Sequence, residues 1–296
     1  MKKVFVTGAT GNVGVELLKA LQNMPNDVEI IVGVREEDNL SPKEMEKLAP
    51  FKVSKRKFDF IDGNTYQHAL KNIDIFFLLR PPQITEVGNY FKPLIKAAQQ
   101  MRVKHIVFLS VQGVEKSSII PHNKIEKLIV ESGIKYTFLR PAYFMQNFTT
   151  TLHNDLHTKK LIFLPAGEAK FTLVDVSDIG KVAANIIIKV ANDNANYDNT
   201  YFELTSNERL NFREMADKLS VGLDTKITFD SPNLLQFWWQ KRKEKVAFGY
   251  ILVLIMLHYL QRFQTLPKIT NSVEEITGNR PKTFDEFVFE NKNKLL

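Results

Sequence analysis

Apolar runs and helical periods alternate along the first half of the chain. KKVFV (2–6) places β-branched and aromatic residues on consecutive positions, which predicts a buried strand. Beyond a glycine-rich turn, Val13, Leu17, Leu18 and Leu21 recur at helical spacing. The same exchange then repeats. DVEIIVGV (27–34), FKVSKRKFDF (51–60), IDIFFLLR (73–80), HIVFLS (105–110) and KYTFLRP (135–141) predict five more strands. SPKEMEKLA (41–49), NTYQHAL (64–70), NYFKPLIKAAQQM (89–101) and NKIEKLIVESG (123–133) predict the intervening helices, the first with a Ser N-cap and Pro at its first position. Apolar strands separated by helices imply a parallel sheet covered on both faces, a doubly wound α/β domain.

After about residue 145 the rhythm changes. LIFLP, AKFTLVDV and NTYFELT read as strands, with DIGKVAANIIIKV and FREMADKLSV as helices between and after them. The expected division is a nucleotide-binding Rossmann domain over 1–145 and a smaller C-terminal α/β substrate subdomain over 146–296. A strand and helix near 170–190 are expected to return to the first part. Residues 233–263 predict an aromatic-rich helix. Its uninterrupted apolar core, VAFGYILVLIML, is about 12 residues, short of the roughly 20 that cross a bilayer, so a buried helix is expected. The basic QKRKEK (240–245) just before it also suits a membrane surface.

Glycine weakens both strands and helices, so TGATGNVG (7–14) needs a reason. It lies where the first strand becomes the first helix. There Gly8 permits a sharp turn, Gly11 lets a pyrophosphate approach the backbone, and Gly14 lets helix and strand pack closely. The helix N-terminus offers amides and partial positive charge to the phosphates, with Thr10, Asn12 and Val13 facing the ligand. No GK[ST] follows, which excludes a Walker A loop.

The ends of the later strands continue the site. Arg35 closes the second strand, where an acid would select a ribose hydroxyl; its guanidinium suits a 2′-phosphate, so NADP is the expected cofactor. Glu36 and Glu37 follow at once and keep NAD open. Asp59 is placed to accept from an adenine amino group, with Phe60 beside the ring. Turn chemistry is the alternative for Asp59. Leu79, Arg80 and Pro81 are expected beside the ribose and nicotinamide, and Ser110 and Pro141 on the same edge.

Composition limits the partners. There is no cysteine, which excludes disulfides, thiol catalysis and thiolate metal sites, and no metal is expected. A cytoplasmic home fits, and the early run VFV is far short of a signal peptide. The net charge of +7 raises nucleic acid as a partner. However, KVSKRK (52–57) and QKRKEK are short and lack interleaved aromatics, so an anionic small molecule is favoured over nucleic acid or membrane.

TGATGNVG, with its GxxGxxG spacing, resembles the fingerprint of short-chain dehydrogenase/reductases. KHIVFLSVQGV, PHNKIEKLIVESGIKYTFLRPAYFMQNF, FTLVDVSDIGKVAANII and VEEITGNRPKTFDEFVFENK together resemble the NmrA-like group of atypical members. That group contains redox-sensing regulators and NAD(P)H:quinone oxidoreductases. The resemblance implies a substrate cleft between the two parts, with Tyr143 and Phe144 near the nicotinamide and Asn147 placed to position a substrate. The superfamily's YxxxK pair is missing. Aligning on Glu126 puts His122 at the Lys position and Ser118 at the Tyr position; the neighbouring register gives Lys124 and Ile120. His122, titrating near neutrality, and Tyr143 are the catalytic candidates, and packing is the alternative for each. The expected activity is NADPH-dependent reduction of a flat small-molecule acceptor such as a quinone. The alternative is a non-catalytic NAD(P) sensor acting through a protein partner or homo-oligomer, with Phe237, Trp238 and Trp239 as its surface.

Overall fold

A computed structural model describes residues 1–37 and 40–296. The chain divides into two compact units. The first comprises Met1–Pro141, Val176–Leu204 and Ser272–Arg280, and the second Ala142–Asp175, Thr205–Asn271 and Pro281–Leu296.

In the first unit, strands β1 (Lys2–Val6), β2 (Val28–Val34), β3 (Ser54–Lys57), β4 (Ile75–Leu79), β5 (His105–Leu109) and β6 (Lys135–Pro141) join the strand Thr200–Leu204 in one sheet. Thr200–Leu204 lies at one edge beside β6, followed by β5, β4, β1, β2 and β3. All the pairings are parallel, with Val4 opposite Ile30 on one side and Ile75 on the other. The order reverses between β1 and β4, the switch point at which such sheets bind ligands beyond their carboxyl ends.

Side-chain alternation builds the two layers. Phe5, Phe76, Leu78, Ile106 and Phe108 point to one face, where they meet Phe91, Leu94, Ile125 and Ile129. Those residues come from α4 (Val87–Gln100) and α5 (Pro121–Glu131), beside α3 (Tyr66–Leu70). The other face is covered by helix Val176–Ala191, which packs on α1 (Asn12–Asn23) and reaches β4 and β5. The helix α2 (Pro42–Leu48) starts with a capping box between Ser41 and Glu44.

Four local expectations change. The third strand is only Ser54–Lys57, because its polar residues suit an edge and the chain bridges back on itself at Asp59 and Asp62. Helix Val176–Ala191 belongs to the first unit, but the strand before it, Phe171–Val174, pairs with Tyr143–Phe144 and Arg209–Leu210 in the second. The seventh strand of the parallel sheet is Thr200–Leu204. Residues 233–263 form two helices, Leu234–Lys243 and Phe248–His258, and a short 3-10 turn, Leu260–Phe263. The break at Lys245 has φ +59°, left-handed backbone that ends the first helix.

The second unit is held by Met145, Phe148, Phe171, Phe212, Phe237, Phe284 and Phe287, all buried. An ionic cluster pins the helix Leu234–Lys243. Lys241, buried, reaches Asp155 at 2.5 Å and Glu244 at 2.9 Å, while Lys159 meets the same two carboxylates at 2.7 Å each. Lys241 is therefore a structural cation and not part of a solvated basic patch. Among the described residues, no helix is long and apolar enough to cross a membrane, and no group of acids and histidines could hold a metal ion.

Candidate functional site

The glycine turn of the first unit divides into two positions that the fold requires and one that it does not. Gly8 has φ +65°, and a Cβ there would lie 3.0 Å from Leu79 Cδ2. A Cβ on Gly14 would stand 2.2 Å from the Gly8 carbonyl oxygen and 2.7 Å from Ala9 Cα. Gly11 has φ −80° and ψ 171°, open to any residue, and its Cβ would meet only the Gly8 oxygen at 3.2 Å. Gly11 is the N-cap of α1, where a side chain would cover the first-turn amides. With glycine there, α1 has no side-chain cap and no acid in its first turn. Its first internal bond runs from Val15 to the Gly11 carbonyl at 3.0 Å. The amides of Asn12, Val13 and Gly14 precede that ladder and face outward with the positive end of the helix.

Thr7 locks this turn to β4. Its buried hydroxyl donates to the Phe77 carbonyl at 3.2 Å and accepts from the Leu79 amide at 2.9 Å. Lys47 of α2 donates to the Thr10 carbonyl at 2.6 Å, which brings an ammonium to the turn. Nothing in the sequence pattern singles out Lys47 from its neighbours.

Arg35 follows β2 directly and is exposed. The two glutamates after it differ. Glu37 accepts from the Lys57 amide, whereas Glu36 is exposed. Glu44 nearby is spent on the α2 cap: the Ser41 hydroxyl and amide hold its carboxyl below the usual range, and Arg35 adds to this.

Asp59 is occupied by turn chemistry, its carboxylate accepting from the Ile61 amide at 3.0 Å. Phe60 is a core ring, 4.8 Å from Phe58 and 5.6 Å from Phe91. Its ring serves the core in the first instance.

Beyond β4, Arg80 braces its own loop. Its Nη1 donates to the carbonyls of Pro81, Pro82 and Ile84 at 3.0, 3.2 and 2.8 Å. Its Nε donates to Nε2 of His122 at 3.4 Å. Burial lowers the Arg80 pKa, but a guanidinium stays charged. His122 is therefore an acceptor. Burial first, then the Arg80 charge, push its pKa down to about 3. The shift is downward from the neutral range expected of a free histidine, which favours the uncharged imidazole at pH 7.

Ser110 follows β5. Its amide donates to the Leu139 carbonyl at 2.7 Å, and its hydroxyl is buried without a hydrogen-bond partner. An unpaired buried hydroxyl costs about 1–3 kcal/mol, so it calls for a ligand or another cause. Pro141 ends β6, and its carbonyl accepts from the Gln112 amide at 2.9 Å. One residue earlier, Arg140 forms a buried two-pronged pair with Glu126 of α5, at 3.1 and 2.7 Å, and lies 4.0 Å over the Tyr201 ring. This pair fixes the end of β6.

Tyr143, Phe144 and Asn147 belong to the second unit. His258 donates from Nδ1 to the Leu254 carbonyl at 2.7 Å, which leaves Nε2 as an acceptor. The Tyr143 hydroxyl donates to that nitrogen at 3.1 Å. Burial raises the Tyr143 pKa, with the Asn147 side chain opposing it in part, and burial depresses His258 to about 4. The phenol proton is thus committed within the second unit. His258 was missed in the sequence, although it is the only ionisable imidazole inside the apolar run 246–257 and its end.

The NmrA-like family model matches residues 1–279. The chain is 28% identical over 287 residues to the prestalk A differentiation protein A of Dictyostelium discoideum, covering 97% of this chain and 91% of that one. It is 25% identical over 288 residues to the NAD(P)H azoreductase of Xenophilus azovorans, covering 96% of both. Among solved structures, the NADPH-dependent quinone oxidoreductase QOR2 of Escherichia coli, complexed with NADPH, superposes with a TM-score of 0.84. It has 21% identity and covers 97% of this chain and 99% of that one. At that identity the likeness concerns the fold.

Proposed function

The chain belongs to the NmrA-like family, and from that premise we propose that it binds NADPH and reduces a flat acceptor, with a quinone as the best fit. One juxtaposition carries the reading. An uncovered α1 N-terminus stands behind a glycine N-cap, and two strands away in the same sheet a buried hydroxyl lacks a partner. A dinucleotide suits both, because it has a diphosphate at its middle and ribose hydroxyls to either side. The amides of Asn12, Val13 and Gly14 would hold the diphosphate, Arg35 the 2′-phosphate, and Ser110 a hydroxyl or carboxamide of the nicotinamide half. When bound, the cofactor supplies a hydride from its nicotinamide ring.

The state of the acids narrows the acceptor. His122 is neutral and accepts from Arg80, and the Tyr143 proton is committed to His258. Neither group suits a general acid near pH 7. The reaction is then one in which orientation suffices, and a quinone takes hydride without a strong protein acid. The relatives' names, an NAD(P)H azoreductase and an NADPH-dependent quinone oxidoreductase, support this class of acceptor.

The same lack of an acid favours a second reading, a non-catalytic sensor of NADP. NADPH oxidation against a panel of benzo- and naphthoquinones separates the two. Turnover that falls about tenfold in Ser110→Ala supports the reductase. Tight NADPH binding with no acceptor turned over supports the sensor.

A further inference from the structure

The second unit exposes an apolar surface that its own packing leaves uncovered. Helix Phe248–His258 buries Ile251, Leu254 and His258 along one stripe. Its other side is equally apolar: Phe248, Leu252, Val253, Met256 and Leu257 are exposed, Phe248 by 55% and Leu257 by 54%. Leu260 and Phe263 continue this face beyond the helix, Phe263 at 72%. No Asp, Glu, Lys or Arg occurs from Val246 to Gln261. Single exposed apolar side chains are ordinary, but a contiguous stripe of them marks an interaction surface.

The chain on either side of this stripe is basic, and the one acid beside Arg262, Glu168, is paired with Arg213. Arg242, Lys243 and Lys245 precede it, Arg262 and Lys268 follow it, and all five are exposed. The only acid between 233 and 270 is Glu244, whose carboxylate is bound by Lys159 and Lys241. Trp238, Trp239 and Tyr250 are exposed in the same segment, and the Lys243 ammonium lies 5.3 Å from the Trp239 ring centre.

We propose that this face docks on the surface of an anionic phospholipid bilayer, with helix Phe248–His258 lying in the plane of the interface. The helix has 11 residues, so it is about 16 Å long, roughly half the hydrocarbon thickness. It is too short to cross but suited to lie at the headgroup boundary, with its apolar side toward the acyl chains and aromatic residues at the interface. The rim selects this occupant over a second copy of the chain. A twofold dimer through the stripe would bring two basic rims together, whereas anionic headgroups neutralise them. The surface uses no residue of the cofactor site, so it stands independently of the reductase reading.

Trp238 and Trp239 are the only tryptophans of the chain, so intrinsic emission reports this segment directly. The full chain, without nucleotide, is mixed with vesicles of phosphatidylcholine alone or with about one third phosphatidylglycerol. The expected result is co-sedimentation with the anionic vesicles only, and a blue shift of the emission. Binding weakens about tenfold or more in R242E/K243E/K245E. It is lost in L252E/L257E. Both variants alter exposed side chains and keep the wild-type thermal midpoint. Protein that stays in the supernatant with unshifted emission at 50 mM salt overturns the proposal. So does a solution dimer that L252E/L257E dissociates while anionic vesicles remain unbound, which assigns the face to a second copy.

Discussion

The Arg80 guanidinium gives His122 its only described hydrogen bond, Nε to Nε2 at 3.4 Å, while the other prong of the same group holds three carbonyls of the loop 81–84. In sequence, Arg80 at the end of β4 is expected beside the ribose and nicotinamide of a bound cofactor. Here much of its donor capacity is turned inward, and His122 becomes an acceptor.

Removing that brace takes the donor from part-buried and exposed carbonyls of the loop 81–84 and from His122. Arg80→Ala is expected to lower the unfolding free energy by about 1 kcal/mol. Arg80→Lys recovers less than half, since one ammonium cannot serve three carbonyls and an imidazole. Urea unfolding at pH 7 measures both, and variants as stable as wild type contradict the bracing role.

The glycines of the turn separate by substitution. Gly14→Ala forces a Cβ against backbone atoms at 2.2 and 2.7 Å and is expected to cost about 3 kcal/mol or more. Gly11→Val costs less than Gly14→Ala, because its backbone conformation is unrestricted and its Cβ meets only the Gly8 carbonyl oxygen, at 3.2 Å. It nevertheless abolishes NADPH binding by covering the first-turn amides. Thermal melts paired with nucleotide titration test this, and undiminished NADPH binding by Gly11→Val would remove the diphosphate assignment.

The proposed preference for NADPH rests on Arg35. Arg35→Asp is expected to weaken NADPH about 10- to 100-fold, the loss of a charge-assisted contact, and to change NADH by less than about threefold. Equal losses for both nucleotides would show that Arg35 does not meet the 2′-phosphate.

Stability depends on pH through buried histidines. Burial holds His105 and His258 down to about 4 in the folded chain. Unfolded, each titrates near 6.5. Between pH 6.5 and 5 the unfolded state therefore binds more protons, and stability falls as pH falls. His258 alone contributes about 1.5–2 kcal/mol over that window. Carboxylates titrate lower and add little there. Unfolding free energies at pH 7, 6 and 5 check the slope, which His258→Gln reduces by about one proton; a flat profile contradicts it.

The sequence carried the sheet and the turn because both depend on local signals. VFV, IFFLL and HIVFL are apolar on consecutive positions, which only a strand covered on both faces accommodates, and the glycine spacing sits between a strand and a helix. What depended on distant partners was hidden. NTYFELT reads as a strand, but nothing local says that it completes the parallel sheet beside β6. The Ser110 hydroxyl is notable only for what it lacks, and that is a property of the folded surroundings. The run VAFGYILVLIML (246–257) reads as buried because apolar content does not say which side of a helix is covered. In the fold one stripe packs and the other faces out.

The most direct test of the nucleotide site is calorimetric titration of the purified, folded chain with NADPH and then NADH. The expected result is one site per chain, with NADPH binding at micromolar or tighter Kd and NADH at least tenfold more weakly. A folded chain that binds neither nucleotide would contradict the assignment of the α1 N-terminus as a diphosphate cradle.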